Sequence, residues 1–161
     1  MIHSIWRITR DAHDSDDAMQ NALVVIWKRW NRIGRHPNPQ ALVLKICIDA
    51  ALDVARRRAR DRREIEPIRR VDNVAHPSAS PSEQMAGDEL RRVIRAAINR
   101  LSRQQAVAVM LRIFEDLPYD QIAAAMGCRE ATARKHFERA RANLRLALAQ
   151  LKPSTSTGKS S

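Results

Sequence analysis

The sequence predicts an all-α fold in which two small helical domains are joined by a flexible linker. Apolar residues recur at helical spacing along most of the 161 residues. Only 4 glycines occur, and no stretch alternates between apolar and polar residues as a strand does. Prolines and serines interrupt the periodicity at 65–87, which indicates a linker between domains at 1–64 and 88–151. We expect residues 152–161 to form a disordered tail.

Charge narrows the class of partner. The chain has a formal net charge of +11 and a pI near 11.1, and so basic a chain usually binds a polyanion such as nucleic acid. The basic excess is shared by 1–64 and 88–151, which indicates two basic units. The N-terminus lacks a signal-peptide run, and no segment approaches the roughly 18 apolar residues of a membrane span. Cys47 and Cys128 lack metal-site spacing, so we expect both to pack as apolar residues in a reducing cytoplasm.

Two helices open the first domain. The first covers Ile2–Arg10, and the second begins at the acidic cluster 14–17 and ends by Gly34. Carboxylates cap a helix N-terminus and favour its dipole, which explains this cluster better than a metal site. The buried face of the second helix is predicted from a stripe at helical spacing: Met19, Leu23, Ile26, Trp27 and Trp30. Two prolines then mark 32–39 as a loop.

The third helix, Gln40–Arg63, ends in a dense run of arginines. Its first half is apolar on most sides, which is typical of a core helix. Its last residues, RRRARDRR, include six arginines in eight positions. Positive charge suits a helix C-terminus, but six arginines exceed that need and favour contact with phosphates.

The second domain is predicted to contain a helix-turn-helix. Helices at about 88–99 and 103–115 come first, and the second of them is expected to bury Val107, Met110, Leu111 and Phe114. The next helix opens with Pro118 at an early helical position. It has an apolar face of Ile122, Ala123 and Met126. Gly127 can take the left-handed conformation that ends a helix.

The last helix has one apolar face and one basic face. Its buried stripe is predicted to be Ala133, Phe137, Ala140, Leu144 and Leu148. The residues off that stripe include Thr132, Arg134, Lys135, His136, Arg139, Arg141 and Arg145. A basic second helix after a glycine turn is the layout that places a helix in the DNA major groove. The alternative is a solvated helix face, but six Lys/Arg against two Glu between Arg129 and Arg145 is an uneven mixture for one.

Two blocks of the sequence resemble bacterial sigma factors of the sigma-70 family, in particular the extracytoplasmic-function type. The C-terminal block is similar to the promoter −35 domain at Leu101, Gln105, Leu111, Arg112, Tyr119, Ile122, Ala123, Gly127, Thr132, Arg139 and Ala140. This resemblance implies −35 contacts by Arg129, Thr132, Arg134, Lys135, His136, Arg139 and Arg141.

The N-terminal block resembles the domain that binds core polymerase and the −10 element. DSDDAMQNALVVIWKRW is similar to the helix that docks on the clamp helices, which implies polymerase contacts by Asp16, Asp17, Gln20, Asn21, Val24 and Trp27. ALDVARRR, with Asp53, resembles the end of the −10 helix, and Asn31–Pro39 corresponds to a loop that captures a flipped base. The implied −10 contacts are Asn31, Arg32, Arg35, His36, Lys45, Asp49, Arg56 and Arg57. Trp27 and Trp30 can serve at the rim of this pocket, but the stripe favours core packing for Trp27.

Some positions depart from the family pattern. The family usually has an aromatic residue near Leu42, a basic residue near Ile48 and asparagine at Asp49. Arg129 stands where a serine N-cap is usual, and the first helix is shorter at its start. These departures motivate an alternative: a stand-alone helix-turn-helix regulator that has lost promoter opening.

The resemblance implies a cytoplasmic sigma factor that directs promoter-specific transcription initiation. Its expected partners are core RNA polymerase, through the β′ clamp helices and the β flap, and promoter DNA; an anti-sigma factor is common in the family. No catalytic constellation, cofactor, metal or small-molecule substrate is expected. A rival from another class is an interaction protein that binds an acidic protein or a membrane surface. No strongly hydrophobic face lies opposite the arginine run, which disfavours the membrane version.

Overall fold

A computed structural model describes residues 1–65 and 81–149, which form α-helices and one π-helical turn. The elements are α1 (Ile2–Thr9), α2 (Ala12–Lys28), α3 (Trp30–Gly34), α4 (Pro39–Ile65), α5 (Pro81–Arg100), α6 (Arg103–Val109), the π-helical segment Met110–Phe114, α7 (Tyr119–Met126) and α8 (Glu130–Ala149). These two ranges contain no strand, and the predicted all-α fold class is confirmed. None of the helices in them combines the length and apolar character needed to cross a membrane.

Helix α2 begins at Ala12, which is before the acidic cluster at 14–17 where the sequence predicted its start. Asp11 is the N-cap, and its side chain accepts a hydrogen bond from the Asp14 amide at 3.0 Å. The Asp14 side chain turns inward and pairs with Arg58 Nη1 on α4 at 2.5 Å. One member of the cluster therefore ties α2 to α4, while Asp16 and Asp17 stay exposed.

The stripe that the sequence predicted to be buried on α2 is wrong for its largest side chains. Trp27 is 82% exposed, and Leu23 and Trp30 are also exposed. The face that packs on α4 is instead formed by Ala18, Ala22 and Ile26. Small residues at i and i+4 let two helix backbones approach closely, which leaves the bulky residues of α2 on the outer face.

Helix α4 organises the first half of the molecule. Its central residues Cys47, Ile48, Ala51 and Leu52 are fully buried, as expected of a core helix. Helices α1 and α2 pack against it. Because Ile48 lies in this core, its apolar character is required by packing and not by a surface contact.

The segment between α2 and α4 is less irregular than predicted. Residues 32–39 were expected to form a loop, but Trp30–Gly34 is the short helix α3. The non-helical connection covers 35–38, and α4 begins at Pro39. Asn38 Oδ1 accepts a hydrogen bond from the Ala41 amide at 3.0 Å, which supplies the first turn of α4 with a capping partner.

Helix α5 begins at Pro81, seven residues before the predicted start at Asp88, so the end of the expected linker is helical. The rest of that linker, 66–80, and the expected tail, 152–161, lie outside the described residues.

The helix predicted at 103–115 begins as α6 with a capping box between Ser102 and Gln105 and then widens into the π-helical segment. A π turn shifts the residues after it relative to α-helical spacing. Phe114, predicted to be buried, is accordingly 37% exposed, with the guanidinium of Arg7 4.7 Å from its ring centroid. Val107, Met110 and Leu111 are buried as predicted.

The two halves of the chain share one buried core. Helix α4 packs against α6, the π-helical segment and α7 as well as against α1 and α2. The buried hydrophobic cluster is continuous from Ile5 in α1 to Ala140 in α8. The predicted division into domains at the linker stays a prediction, but the halves are in direct contact.

Candidate nucleic-acid interface

The turn between α7 and α8 fixes the geometry of the helix-turn-helix. Gly127 has φ 64°, and its amide donates to the Ala124 carbonyl. The Cys128 amide donates to the Ala123 carbonyl at 3.0 Å, which completes a Schellman motif. Pro118, expected at an early helical position, is instead the N-cap of α7. Gly127 therefore takes the left-handed conformation that ends α7, as the sequence predicted.

Helix α8 is seated by its apolar stripe. Ala133, Phe137 and Ala140 are buried, while Leu144 and Leu148 are half-buried. The Phe137 ring meets Tyr119 of α7 edge-on, with centroids 5.9 Å apart. This packing holds one face of α8 against α6 and α7 and turns the other face outward.

The outward face of α8 carries the predicted −35 contacts. All of these side chains are exposed except His136, which is half-buried: Arg129, Thr132, Arg134, Lys135, Arg139 and Arg141. The Arg129 carbonyl accepts the amides of Thr132 and Ala133, so Arg129 lies at the N-terminal edge of the helix. Their roles on DNA stay predictions.

Two arginines of this face have internal partners that the sequence analysis did not assign. Arg134 Nη2 lies 2.8 Å from Glu130 Oε1, and its guanidinium carbon lies 4.3 Å from the Tyr119 ring centroid. Arg141 Nη2 lies 3.3 Å from Glu138 Oε2. The i,i+4 spacing of Glu130 and Arg134 was a usable signal for the first pair. The stacking partner Tyr119 lies on the preceding helix α7, so no pattern within α8 could have predicted this contact.

The predicted −10 contacts divide into two groups. Asn31, Arg32, Arg35 and Arg57 are exposed. The others make contacts inside the protein: His36, Lys45, Asp49 and Arg56.

Two arginines of the run at the end of α4 also make contacts inside the protein. Arg56 Nη2 donates to the Leu101 carbonyl at 2.9 Å. Arg58 pairs with Asp14 and Asp11, and these partners raise its pKa, Asp14 most strongly. The Asp14 amide and then Arg58 hold the pKa of Asp11 below its usual value. Contact of this run with phosphates stays a prediction, and Arg60 is one of its members that is exposed to solvent.

The predicted polymerase contacts form one exposed face of α2. All six are exposed: Asp16, Asp17, Gln20, Asn21, Val24 and Trp27. Core packing, which the sequence favoured for Trp27, is wrong. Leu23 and Trp30 extend this face, so polar and large apolar side chains are mixed on a helix surface open to solvent.

The two cysteines are free thiols. Cys47 is buried and Cys128 is half-buried; neither forms a disulfide, and burial raises the pKa of both thiols. Within 1–65 and 81–149, no group of three or more His, Cys, Asp or Glu side chains is arranged to hold a metal ion.

Known proteins resemble both halves of the chain. The family model for sigma-70, region 4, matches residues 91–144, which include the helix-turn-helix. The chain is 30% identical over 156 residues to the RNA polymerase sigma-H factor of Pseudomonas aeruginosa, covering 91% of this chain and 79% of that protein. It is 28% identical over 146 residues to the ECF RNA polymerase sigma factor SigE of Mycolicibacterium smegmatis, covering 90% of this chain and 56% of that longer protein.

A solved structure shares the fold. It is the sigma factor RpoE of Bartonella quintana in complex with the anti-sigma factor NepR, with a TM-score of 0.54 and 21% identity. The match covers 94% of this chain and 91% of that one.

The basic helix α8, joined to α7 by a Schellman turn, is the arrangement found in helix-turn-helix proteins. The matches to both halves are more specific, and the chain belongs to the sigma-70 family of RNA polymerase sigma factors. The resemblance found in the sequence is thereby confirmed.

Proposed function

We propose that the chain binds core RNA polymerase and directs promoter-specific transcription initiation, with α8 at the −35 element and the first half of the chain at the −10 element. The observation that carries this proposal is the exposed basic face of α8, held outward by a buried stripe and a glycine turn. Sigma-factor relatives that match along most of the chain support the same function. This activity places the chain with RNA polymerase in the cytoplasm.

The length of α8 suits two kinds of DNA contact. Its 20 residues extend about 30 Å, whereas the major groove is about 12 Å wide. The N-terminal part therefore lies in the groove and the later part crosses the backbone. Arg129, Arg134 and Lys135 are assigned to base edges, and Arg139 and Arg141 to phosphates.

Core polymerase docks on the exposed face of α2. Asp16, Asp17 and Gln20 provide its polar part, and Val24 and Trp27 its apolar part. An aromatic residue that is exposed in the free chain is a good anchor, because binding removes its large apolar surface from water. The β′ clamp helices are the expected partner of this face, and the β flap is a further contact on polymerase.

The −10 element is assigned to α3 and the connection that follows it. Arg32 and Arg35 are exposed cations that can hold phosphates. Trp30 at the start of α3 is exposed and offers a flat surface on which a flipped base can stack. An anti-sigma factor, which the family commonly has, is proposed as a regulatory partner.

Two assays on the full chain test the proposal. The chain should be retained by purified core polymerase and support run-off transcription on genomic fragments. Asp17→Lys combined with Gln20→Lys should weaken retention several-fold, because both residues lie on the α2 docking face. Arg141→Ala is the matched control, since it should lower DNA binding without changing retention.

A wild-type chain that core polymerase does not retain would refute the docking assignment. DNA binding without polymerase, together with no retention, would instead favour the stand-alone regulator.

A further inference from the structure

A cleft between α4 and α5 is lined by arginines from both helices. It has a volume of about 380 Å³, and its lining residues are Arg56, Ala59 and Arg60 of α4 and Ala96, Asn99 and Arg100 of α5. Arg60 and Arg100 are exposed to solvent, whereas Arg56 and Asn99 are half-buried. The two alanines leave the space between the helices open, because a larger side chain at either position would extend into it.

The charge of this cleft is all of one sign. Among the described residues, none that lines it is a carboxylate, and neither Arg60 nor Arg100 pairs with one. The neighbouring cavity at the junction of α1, α4 and α5 differs, because Asp11 and Asp14 pair there with Arg58. Three guanidinium groups therefore line one cleft without a carboxylate to neutralise them, which favours an anionic ligand.

Two buried polar atoms of the lining residues find no hydrogen-bond partner in the part of the chain that the structure describes. Arg56 donates from Nη2 to the Leu101 carbonyl at 2.9 Å, but its Nε is buried without an acceptor. Asn99 Oδ1 is buried without a donor. Leaving a buried polar group unpaired is costly, so such groups are rare. Three described side chains contain one, and two of these three line this cleft.

The two unpaired atoms require opposite groups from a ligand. Arg56 Nε requires an acceptor, which an ionised phosphate supplies. Asn99 Oδ1 requires a donor, which an ionised phosphate lacks. A ribonucleotide combines both, because its ribose hydroxyl groups can donate. The backbone of duplex DNA has phosphates but no free hydroxyl group, so it would satisfy Arg56 and leave Asn99 unpaired.

The size of the cleft and the chemistry of arginine suit the same ligand. Sites for small molecules have volumes of about 300–1,000 Å³, and this cleft is at the lower end of that range. A guanidinium group binds a phosphate through two parallel N–H groups and also stacks on aromatic rings. Arg60 and Arg100 belong to opposite walls, so one can hold a phosphate while the other covers the base.

We propose that the cleft between α4 and α5 binds a ribonucleotide, with its phosphates held by the three arginines and a ribose hydroxyl donating to Asn99. The site shares no residue with the predicted −35 contacts of α8 or with the docking face of α2. It shares only Arg56 with the predicted −10 contacts. The chain thus has a small-molecule ligand in addition to polymerase and DNA.

Isothermal titration calorimetry on the full chain at physiological salt tests the site with ADP and GDP. At least one of them should bind with one-to-one stoichiometry. Arg100→Ala should weaken this binding roughly ten- to hundredfold, because it removes a hydrogen bond between charged groups. Arg145→Ala is the matched control, since it removes the same charge from an exposed position on α8 that does not line the cleft. Its affinity should equal that of the wild type.

A second comparison tests the ribose contact. The dideoxy form of the nucleotide lacks both ribose hydroxyl groups and should bind the wild type several-fold more weakly. In Asn99→Ala the two forms should bind equally, because the acceptor is absent. A merely structural role of Asn99 would lower both affinities and preserve the difference between them, which would overturn the assignment to ribose.

Failure of both nucleotides to bind the wild type would overturn the proposal, as would equal weakening by Arg100→Ala and Arg145→Ala. Pyrophosphate and a short DNA duplex serve as competitors. If pyrophosphate binds as tightly as the nucleotide, or if the duplex displaces it, the cleft holds any phosphate and the ribonucleotide is refuted. Circular dichroism checks that both variants fold. If Asn99→Ala does not, the dideoxy comparison on the wild type decides the ribose contact.

Discussion

Replacing Arg134 or Arg141 of α8 with alanine should impair DNA binding in different ways. Arg134 lies near the start of the helix, with its guanidinium held by Glu130 and stacked 4.3 Å from the Tyr119 ring centroid. Arg141 lies seven residues later, about 10 Å along the axis, and pairs with Glu138 at 3.3 Å. The first position suits contact with a base edge, and the second suits contact with a phosphate.

The magnitudes follow from these positions. Arg134→Ala should cost roughly 1–3 kcal/mol at the best site and relax the preference at one −35 base pair. The stacking on Tyr119, about 0.5–1 kcal/mol at an exposed site, is lost from free and bound protein alike. Arg141→Ala should weaken binding about equally on all sequences and reduce the salt slope by about one.

The assay is promoter binding by holoenzyme across single-base −35 variants at several salt concentrations. Tyr119→Leu removes the flat ring beneath Arg134 and should blur the same base preference, whereas Tyr119→Phe keeps the ring and should not. If Arg134→Ala and Arg141→Ala both lower affinity uniformly, Arg134 is a phosphate contact and the assignment to base readout is refuted.

Three further predictions concern stability and docking. Gly127→Ala should lower the free energy of unfolding by about 1–2 kcal/mol in a urea titration, because the residue has φ 64°. Trp27→Ala should change stability by less than about 0.5 kcal/mol, since the ring is exposed, yet weaken retention by core polymerase. Asp11→Asn keeps a capping oxygen but loses the charge paired with Arg58. Because the pKa of Asp11 is lowered in the fold, its ionised form stabilises the protein above about pH 4. That stability is lost as the pH falls through the lowered pKa of Asp11, so the difference in stability between the wild type and Asp11→Asn should shrink in acid.

Matched controls make these outcomes decisive. Gly34→Ala also adds a methyl group in open space but at a residue without positive φ, so it should not destabilise the protein. A loss equal to that of Gly127→Ala would contradict the conformational explanation. A large loss of stability in Trp27→Ala would mean that this ring packs in the core. A constant difference between Asp11→Asn and wild type at all pH values would exclude the charge of Asp11 as its cause.

The exposure of two aromatic side chains depends on tertiary packing and helix geometry that no short segment of the sequence encodes. The outward position of Trp27 follows from Ala18 and Ala22, which let α2 approach α4 on the adjacent face. The exposure of Phe114 follows from its position at the end of the π-helical segment Met110–Phe114. Both segments are helical, as the apolar spacing predicted. Which face of α2 is buried depends on its partner helix α4, and the direction of the Phe114 side chain depends on the π-helical segment.

The sequence by itself determined the all-helical class, the helix-turn-helix with its left-handed Gly127, and the basic face of α8. Helix periodicity, the conformational freedom of glycine and charge are local properties, so they can be read from a few neighbouring residues. Only the tertiary structure decided what His36 and Arg103 contact, because their partners lie 88 and 50 residues away in the sequence. Contacts between such distant residues depend on how α4 brings both halves of the chain together, which no local pattern specifies.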